Sequence, residues 1–182
     1  MTSNHPPNEH NRKSRTHRPT RAGAFITNAY QWLGSIKAGG VVYNAMGTGK
    51  VAPVAAEDIA AVTVHTLTDP NPGPEVFEVT GGELLTVPEQ VELLARAAGR
   101  SIRSVDISTE VATQNLIAIG TPPPVAAAVA QSFEAIRDGK MAFVRDTVRQ
   151  ITGRQPRTFQ SWAEEHAASF TCATARQWRI IL

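Results

Sequence analysis

The stretch Gly47-Thr-Gly-Lys50 is the place where residue types and spacing first suggest chemistry, because glycines before a lysine can cradle phosphate groups. The phosphate-binding loop of kinases and GTPases also needs a glycine five residues before the second of these glycines, and a serine or threonine after the lysine. Asn44 and Val51 occupy those two positions. We therefore interpret Gly47 to Lys50 as a β-turn and exclude kinase or GTPase chemistry.

Histidines and the single cysteine are the remaining candidates for metal binding or nucleophilic catalysis. His65 and His166 fall in different predicted helices, without cysteine or carboxylate partners at the spacing of metal ligands. Cys172 has no recognisable partner motif, and the chain has no Gly-x-Ser-x-Gly element. The sequence thus predicts neither a catalytic residue nor a metal ligand.

The pI of about 9.0 raises the possibility of nucleic-acid binding, but the excess positive charge lies at one end. Residues 1–21 carry five basic side chains against Glu9, whereas the whole chain has a net charge of only +2. The remainder is therefore mildly acidic, with a net charge of −2. A domain that binds duplex phosphates usually presents a basic face, so this distribution argues against a nucleic-acid partner.

Composition predicts a disordered basic leader over residues 1–21, with ordered structure beginning near Ala22. The leader lacks the apolar core of a secretory signal, and no stretch reaches the roughly 20 apolar residues of a membrane span. One cysteine excludes an internal disulfide, and we expect a reducing, cytoplasmic location.

Hydrophobic periodicity predicts mostly helices with short strands between them. Thr86 and Glu89 form a capping-box pattern, and Gly99 is placed to end the helix that follows. Asp58 is expected near the start of another helix, where its charge favours the helix dipole. We predict helices over 25–37, from 57, 86–98, 109–119, 125–138, 146–152 and 159–170, strands over 41–43, 76–79 and 101–107, and a hairpin-like unit joining 41–43 to 51–54.

Several segments together resemble NmrA-like proteins, which are atypical members of the short-chain dehydrogenase/reductase superfamily. Arg21-Ala-Gly-Ala-Phe-Ile-Thr-Asn28 is similar to the family's Arg-Pro-Gly-x-Phe-x-x-Asn segment, and Val51 to Ala60 contains its Asp-Ile-Ala segment. Phe77 to Gly81 with Leu85-Thr86, and Thr152 to Phe159 with Trp162, are similar to later family elements. These segments occur in the family's order from about Arg21 to Phe170. The resemblance therefore implies a family domain over residues 22–170 and leaves residues 171–182 as a tail that matches nothing in the family.

The resemblance implies a cofactor and the residues beside it. In the family the first segment passes the nicotinamide end of NADP or NAD, which places Gly23, Ala24, Phe25 and Asn28 at the cofactor. A small residue permits close approach, an aromatic ring offers a flat wall, and an amide can bind a carboxamide. The residues alone leave another interpretation open, with Phe25 in the core and Asn28 on a helix surface.

Two motifs expected of a complete enzyme are missing from these 182 residues. No Gly-x-Gly-x-x-Gly follows a predicted strand, so the usual cradle for a dinucleotide pyrophosphate is absent. The superfamily's Tyr-x-x-x-Lys pair is also absent, because Gly34 and Gly47 stand four residues after the two tyrosines. The resemblance therefore implies only the C-terminal portion of the family's domain.

These observations predict a fold and two functions. The fold is expected to be α/β, with an incomplete Rossmann-type parallel sheet edge and a mostly helical substrate-binding lobe. The first function is that of a truncated relative of NAD(P)H-dependent quinone or azo-dye oxidoreductases, acting on a small-molecule acceptor such as a quinone and not self-sufficient for cofactor binding. The second is a non-catalytic NmrA-like redox-sensing or protein-interaction module. An open sheet edge would favour self-association.

Overall fold

A computed structural model describes residues 19–69 and 76–171 of the chain. Most of the predicted leader and nearly all of the predicted tail, at 1–18 and 172–182, lie outside the described residues. In chain order the elements are β1 (Thr20–Ala22), a 3-10 helix (Ile26–Trp32), α1 (Leu33–Gly39), β2 (Val41–Asn44), α2 (Ala56–Thr68), β3 (Phe77–Val79), α3 (Val87–Ala98), β4 (Arg103–Asp106), α4 (Thr109–Ala118), α5 (Pro123–Arg137), α6 (Thr147–Thr152), α7 (Phe159–Glu165) and α8 (Ala167–Phe170).

The named strands form two parallel pairs, which confirms the predicted α/β class. β1 pairs with β3, with Arg21 opposite Glu78, and β2 pairs with β4, with Val42 opposite Ser104. Parallel partners need long crossover connections, and here helices supply them. Each pair is therefore an edge-like fragment of a sheet with helices around it.

Two hydrophobic clusters hold these layers together. The larger one is centred on α3, whose Leu94 is fully buried, and it joins α1, β2, α7 and α8. The smaller one packs α2 and α6 against β3 through Val54, Val62, Phe77, Val79 and Val148. Each parallel pair thus has its own core. The two cores meet at Val54 and Ala55, which are adjacent in sequence and belong to the smaller and the larger cluster respectively.

The N-terminal boundary differs from the predicted one. The sequence gives no apolar strand before Ala22, yet Thr20 and Arg21, which we predicted as leader, pair with β3. This strand is held by backbone pairing with β3, whose residues Phe77 and Val79 are almost inaccessible to solvent. Tertiary pairing therefore supplies what local hydrophobicity does not indicate.

The hairpin-like unit predicted from 41–43 and 51–54 is wrong. β2 pairs with β4 instead, while Val51 bridges Leu85 and Val54 bridges Phe25. Val51 and Val54 are both buried, and the backbone of each bonds to a partner distant in sequence instead of to β2. The turn between the two segments is real, because the Gly49 amide donates to the Met46 carbonyl oxygen at 3.0 Å.

The helices follow the predicted pattern with local changes. Residues 25–37 divide into the 3-10 helix and α1, and the helix predicted over 159–170 is interrupted at His166. The capping box is confirmed, because the Thr86 amide donates to Glu89 Oε2 at 2.7 Å and the Glu89 amide donates to Thr86 Oγ1 at 3.2 Å. Among the described helices, none has both the length and the apolar character needed to cross a bilayer.

Candidate functional site

A pocket of about 160 Å³ lies at the carboxyl ends of β1 and β3. Gly23 follows β1 and donates its amide to the Val79 carbonyl oxygen at 3.0 Å, while Thr80 follows β3. The ends of both strands line the pocket together with Met141 and Phe143. Ligands of open parallel sheets bind beyond the carboxyl ends of the strands, so the pocket occupies a functional position of this fold.

The segment between α5 and α6 forms the opposite wall and is fastened to β3. The Arg145 amide donates to Thr80 Oγ1 at 2.8 Å, and Thr80 is only 3% exposed. Thr147 Oγ1 donates to the Glu78 carbonyl oxygen at 2.7 Å. These bonds cover the outer edge of β3 and fix the position of the wall.

Phe143 is held as a flat surface of this wall. The Arg145 guanidinium carbon lies 4.8 Å from the centroid of its ring. Glu78 in turn holds Arg145, with 2.6 Å between Oε2 and Nε. Because both charged side chains are about half exposed, the pair adds little stability, but it restricts where the aromatic ring can lie.

The structure places one of the four predicted cofactor-binding residues at this pocket. A methyl group on Gly23 would lie 3.7 Å from Thr80 Cγ2, an ordinary contact, so the glycine provides space. Ala24, Phe25 and Asn28 do not line the pocket. The Ala24 carbonyl oxygen accepts from the Val54 amide at 2.8 Å, which anchors the segment to the second core.

The alternative interpretation of two of these residues is now resolved in part. Phe25 is 45% exposed and is therefore not a core residue, whereas Asn28 lies exposed on the 3-10 helix. The role of Phe25 at a cofactor remains a prediction.

Sequence reasoning missed Thr80, Met141, Phe143 and Arg145. The segment 141–145 carries no helical or strand periodicity, and it falls between the helices predicted over 125–138 and 146–152. Its one signal was two large apolar side chains, Met141 and Phe143, in a stretch otherwise expected to be a loop. Apolar residues in a connection indicate that something packs over them.

Asp58 joins two of the segments that carry the resemblance. Its side chain is fully buried, and Oδ2 accepts from the Arg157 amide at 2.8 Å. Oδ1 lies 3.1 Å from Arg154 Nη2. The carboxylate thus connects the start of α2 to the segment before α7, which is a structural role and agrees with the helix-start position predicted for it.

The neighbouring Glu57 extends this anchor through Arg157, which contacts both Glu57 and Glu165. The pKa of Glu57 is lowered, chiefly by its own backbone amide and then by hydrogen bonding to the Arg157 guanidinium. The same pairing raises the pKa of Arg157. These charges bind elements together and do not face the pocket at β1 and β3.

The Gly47 to Lys50 turn serves packing. A Cβ atom on Gly49 would lie 2.3 Å from the Ile136 carbonyl oxygen, so only glycine allows the end of α5 to approach. Arg137 Nη1 also donates to the Ala45 carbonyl oxygen at 3.0 Å. The turn is therefore the place where the α4 and α5 pair rests on the rest of the chain.

The two described histidines take part in local structure. His65 Nε2 lies 3.4 Å from Asp69 Oδ2, and His166 stacks on Trp162 with ring centroids 4.6 Å apart. Within 19–69 and 76–171, no three histidine, cysteine or acidic side chains gather closely enough to hold a metal ion.

Comparison with curated proteins finds reductases. The chain is 39% identical over 150 residues to a (4-alkanoyl-5-oxo-2,5-dihydrofuran-3-yl)methyl phosphate reductase of Streptomyces griseus, covering 82% of this chain and 53% of that protein. It is 38% identical over 151 residues to an NAD(P)H azoreductase of Xenophilus azovorans, covering 83% and 53%. The chain therefore spans about half the length of these relatives. No family model matches it.

Solved structures show the same fold at lower identity. An NADPH-dependent quinone oxidoreductase of Escherichia coli, complexed with NADPH, superposes with a TM-score of 0.71 at 21% identity, covering 80% of this chain and 52% of that one. The triphenylmethane reductase of Citrobacter, complexed with NADP(H), gives a TM-score of 0.67 at 20% identity, covering 80% and 51%. These matches bear out the predicted resemblance to NAD(P)-binding proteins of the NmrA-like type, and their coverage of about half of each matched protein fits the C-terminal portion of that fold.

Proposed function

We propose that this chain forms the substrate-side part of a cytoplasmic NAD(P)H-dependent reductase that passes a hydride to a small planar acceptor such as a quinone or an azo dye. The observation that carries this proposal is the pocket where the parallel strands β1 and β3 end, with Gly23 on one side and Phe143 on the other. The 38% identity to an NAD(P)H azoreductase supports the class of chemistry.

The pocket suits the nicotinamide end of NADP or NAD better than the rest of that cofactor. Gly23 leaves room for a flat ring beside the strand end, and Met141 offers that ring apolar surface. When bound there, the reduced nicotinamide supplies the hydride. We propose Gly23, Ala24, Phe25 and Asn28 as the neighbouring surface for the cofactor, from the resemblance.

The sequence offers no comparable site for the pyrophosphate of the cofactor. None of the 182 residues forms a Gly-x-Gly-x-x-Gly loop, which in the usual dinucleotide folds brings backbone amides to the phosphates. We therefore propose that the chain by itself holds the cofactor weakly. Its contribution to the reaction is to position the acceptor.

The residues of the wall between α5 and α6 have distinct roles in positioning the acceptor. Phe143 stacks against the acceptor, while Arg145 and Glu78 hold the ring of Phe143 in place. The Tyr-x-x-x-Lys pair that protonates a carbonyl in other members of the superfamily is absent from the sequence. We propose an acceptor that takes up its proton from solvent, as a quinone does on reduction.

A binding titration with menadione, a small quinone, tests this function without requiring turnover. Ligand-detected NMR on the purified chain is expected to show menadione binding, and Phe143→Ala is expected to weaken it about fivefold, because an aromatic pair contributes about 1 kcal/mol. Val144→Ala is the matched control, since the adjacent Val144 is 42% exposed and does not line the pocket. Equal binding by wild type and Phe143→Ala would refute the assignment of this wall.

Adding NADPH and following its oxidation separates the remaining possibilities. Turnover of menadione by the chain alone would show that the chain is self-sufficient, against our expectation. NADPH binding without turnover of any quinone or azo dye would favour the redox-sensing alternative. Weak or absent NADPH binding together with menadione binding is the expected result.

We also propose that the free edge of β1 pairs with another chain. The outer edge of β3 is covered by 145–147, whereas β1 has β3 as its one strand neighbour among the described residues. Two copies pairing antiparallel about the middle of β1 would bring Arg21 against Arg21, so salt should strengthen their association. A monomeric profile in size-exclusion chromatography at every ionic strength would contradict this.

A further inference from the structure

Two charged side chains, Arg21 and Glu78, line the pocket at the ends of β1 and β3. The two residues are direct partners in the parallel pair. Because neighbouring strands lie about 4.8 Å apart, an ion pair between these two side chains would be the simplest arrangement. The structure forms a different pair, and this leaves a charge at the pocket.

Glu78 is engaged by the wall instead of by Arg21. Its Oε2 atom lies 2.6 Å from Arg145 Nε, and the Arg145 guanidinium carbon also lies 4.8 Å from the centroid of the Phe143 ring. The Arg145 backbone amide donates to Thr80 Oγ1 at 2.8 Å, which keeps Arg145 beside Glu78. The negative charge of Glu78 is therefore balanced by the wall.

Arg21 keeps a positive charge that nothing near it balances. Its guanidinium forms no hydrogen bond or ion pair with another residue in the described part of the chain, and the side chain is exposed. The charged residues that flank the wall in sequence, Lys140 and Asp146, are paired with Asp138 and Arg149. The pocket thus carries one net positive charge, and it lies on Arg21.

The strand sets where this charge lies relative to the cofactor. Arg21 stands two residues before Gly23, which puts their Cα atoms roughly 7 Å apart at the rise of a strand. The cofactor is expected beyond the carboxyl ends of the strands, whereas Arg21 lies within β1. The guanidinium is therefore placed at the part of the pocket left for the acceptor.

We infer that Arg21 selects acceptors whose flat ring carries an anionic group such as a sulfonate or a carboxylate, an inference that rests on the function proposed above. The ring of the acceptor stacks on Phe143. Its anionic oxygens accept hydrogen bonds from the Arg21 guanidinium, whose planar fork matches the geometry of such groups. Phe143 thus contributes affinity for the ring, and Arg21 contributes the preference for a charged acceptor over a neutral one.

A matched pair of quinones tests this preference on the whole chain. In 1,4-naphthoquinone-2-sulfonate a sulfonate replaces the methyl group of menadione, so the two ligands differ in that group alone. By ligand-detected NMR at low salt we expect the sulfonate to bind about threefold to fivefold more tightly than menadione. This advantage should shrink as added salt screens the charge.

Two variants of Arg21 and one control locate the effect. Arg21→Gln should remove the advantage of the sulfonate and leave menadione binding unchanged, whereas Arg21→Lys keeps the charge and should retain part of it. Arg103→Gln is the matched control, because Arg103 is also an exposed strand arginine but does not line the pocket. Both glutamine variants lower the net charge of +2 by one, so a general attraction of anions to the chain would affect them equally.

The outcomes separate this inference from the proposed function. Menadione binding that depends on Phe143, with the sulfonate no tighter, would overturn the role of Arg21 and leave the proposed function standing. Equal weakening of both quinones by Arg21→Gln would overturn it too, because Arg21 would then support the pocket without recognising the charge. The same holds if Arg21→Gln weakens NADPH binding and spares the sulfonate advantage, since Arg21 would then hold a cofactor phosphate. Binding of neither quinone would refute the proposed function and this inference together.

Discussion

Asp58 offers the sharpest test of how this chain is held together. The carboxylate is fully buried, accepts from the Arg157 amide at 2.8 Å, and lies 3.1 Å from Arg154 Nη2. Replacing it with alanine removes both contacts and leaves the Arg157 amide without an acceptor. The change acts on the junction between α2 and the segment before α7. These two segments lie about 100 residues apart in the chain.

The expected loss follows from these contacts. A hydrogen bond to a charged acceptor contributes about 1.5 to 3 kcal/mol. The ion pair adds at most about 1 kcal/mol, because the Arg154 side chain is 51% exposed and water screens it. We therefore expect Asp58→Ala to lower the free energy of unfolding by about 3 kcal/mol, which for a chain of this size lowers the melting temperature by roughly 6 to 12 °C.

Urea and thermal unfolding of the purified chain measure this effect. Asp58→Asn keeps an acceptor for the Arg157 amide and should recover about half of the loss. Glu57→Gln in the same helical turn is the matched control, expected to change stability by less than about 1 kcal/mol, because the Glu57 side chain is 49% exposed. If Asp58→Ala were no more destabilising than Glu57→Gln, the buried carboxylate would not be the anchor we infer.

The remaining predictions concern backbone approach and helix capping. Gly81→Ala places a Cβ atom 2.0 Å from the Pro53 carbonyl oxygen, so we expect a loss of roughly 1 to 3 kcal/mol in urea unfolding, whereas Gly82→Ala, with nothing nearer than 3.5 Å, should cost less than half as much; equal losses would contradict the clash. Thr86→Ala removes the capping hydroxyl of α3 and should lower stability by about 1 kcal/mol, with no change if the cap is incidental. Hydrogen bonding to the Thr86 amide lowers the pKa of Glu89. The ionised Glu89 side chain therefore stabilises the fold fully above the ordinary carboxyl pKa, and this contribution is lost as the pH falls through the lowered pKa. Glu89→Gln should flatten the pH dependence of the melting temperature in that acidic range.

Local signals predicted the helices of this chain well. Thr86, Glu89 and Gly99 specify both ends of α3, because a capping box and a left-handed glycine satisfy backbone groups that the helix itself cannot. The helices from Ala56 and Thr109 also begin within a residue or two of their predicted starts. Caps are formed by residues close in sequence, so sequence alone is enough to find them.

Strand partners and the pocket wall were not predictable in the same way. The interpretation of 41–54 as a hairpin failed because neighbouring strands were assumed to pair, whereas β2 pairs with a strand about 60 residues later. The wall at Met141 and Phe143 is fastened through Arg145, which bonds Thr80 and Glu78 more than 60 residues earlier in the chain. The residues close in sequence to either segment give no indication of those contacts.

By itself, the sequence determined the α/β class, the starts of most helices, the resemblance to NmrA-like proteins, and the absence of a glycine-rich phosphate loop from these 182 residues. Those features depend on residue type and on spacings of a few residues. Only the tertiary structure decided that Thr20 to Ala22 is a strand, that Gly23 opens a pocket closed by Phe143, and that Asp58 is buried against Arg157. Each of these depends on atoms brought together across long stretches of chain, where packing and hydrogen bonding in the folded molecule outweigh local preference.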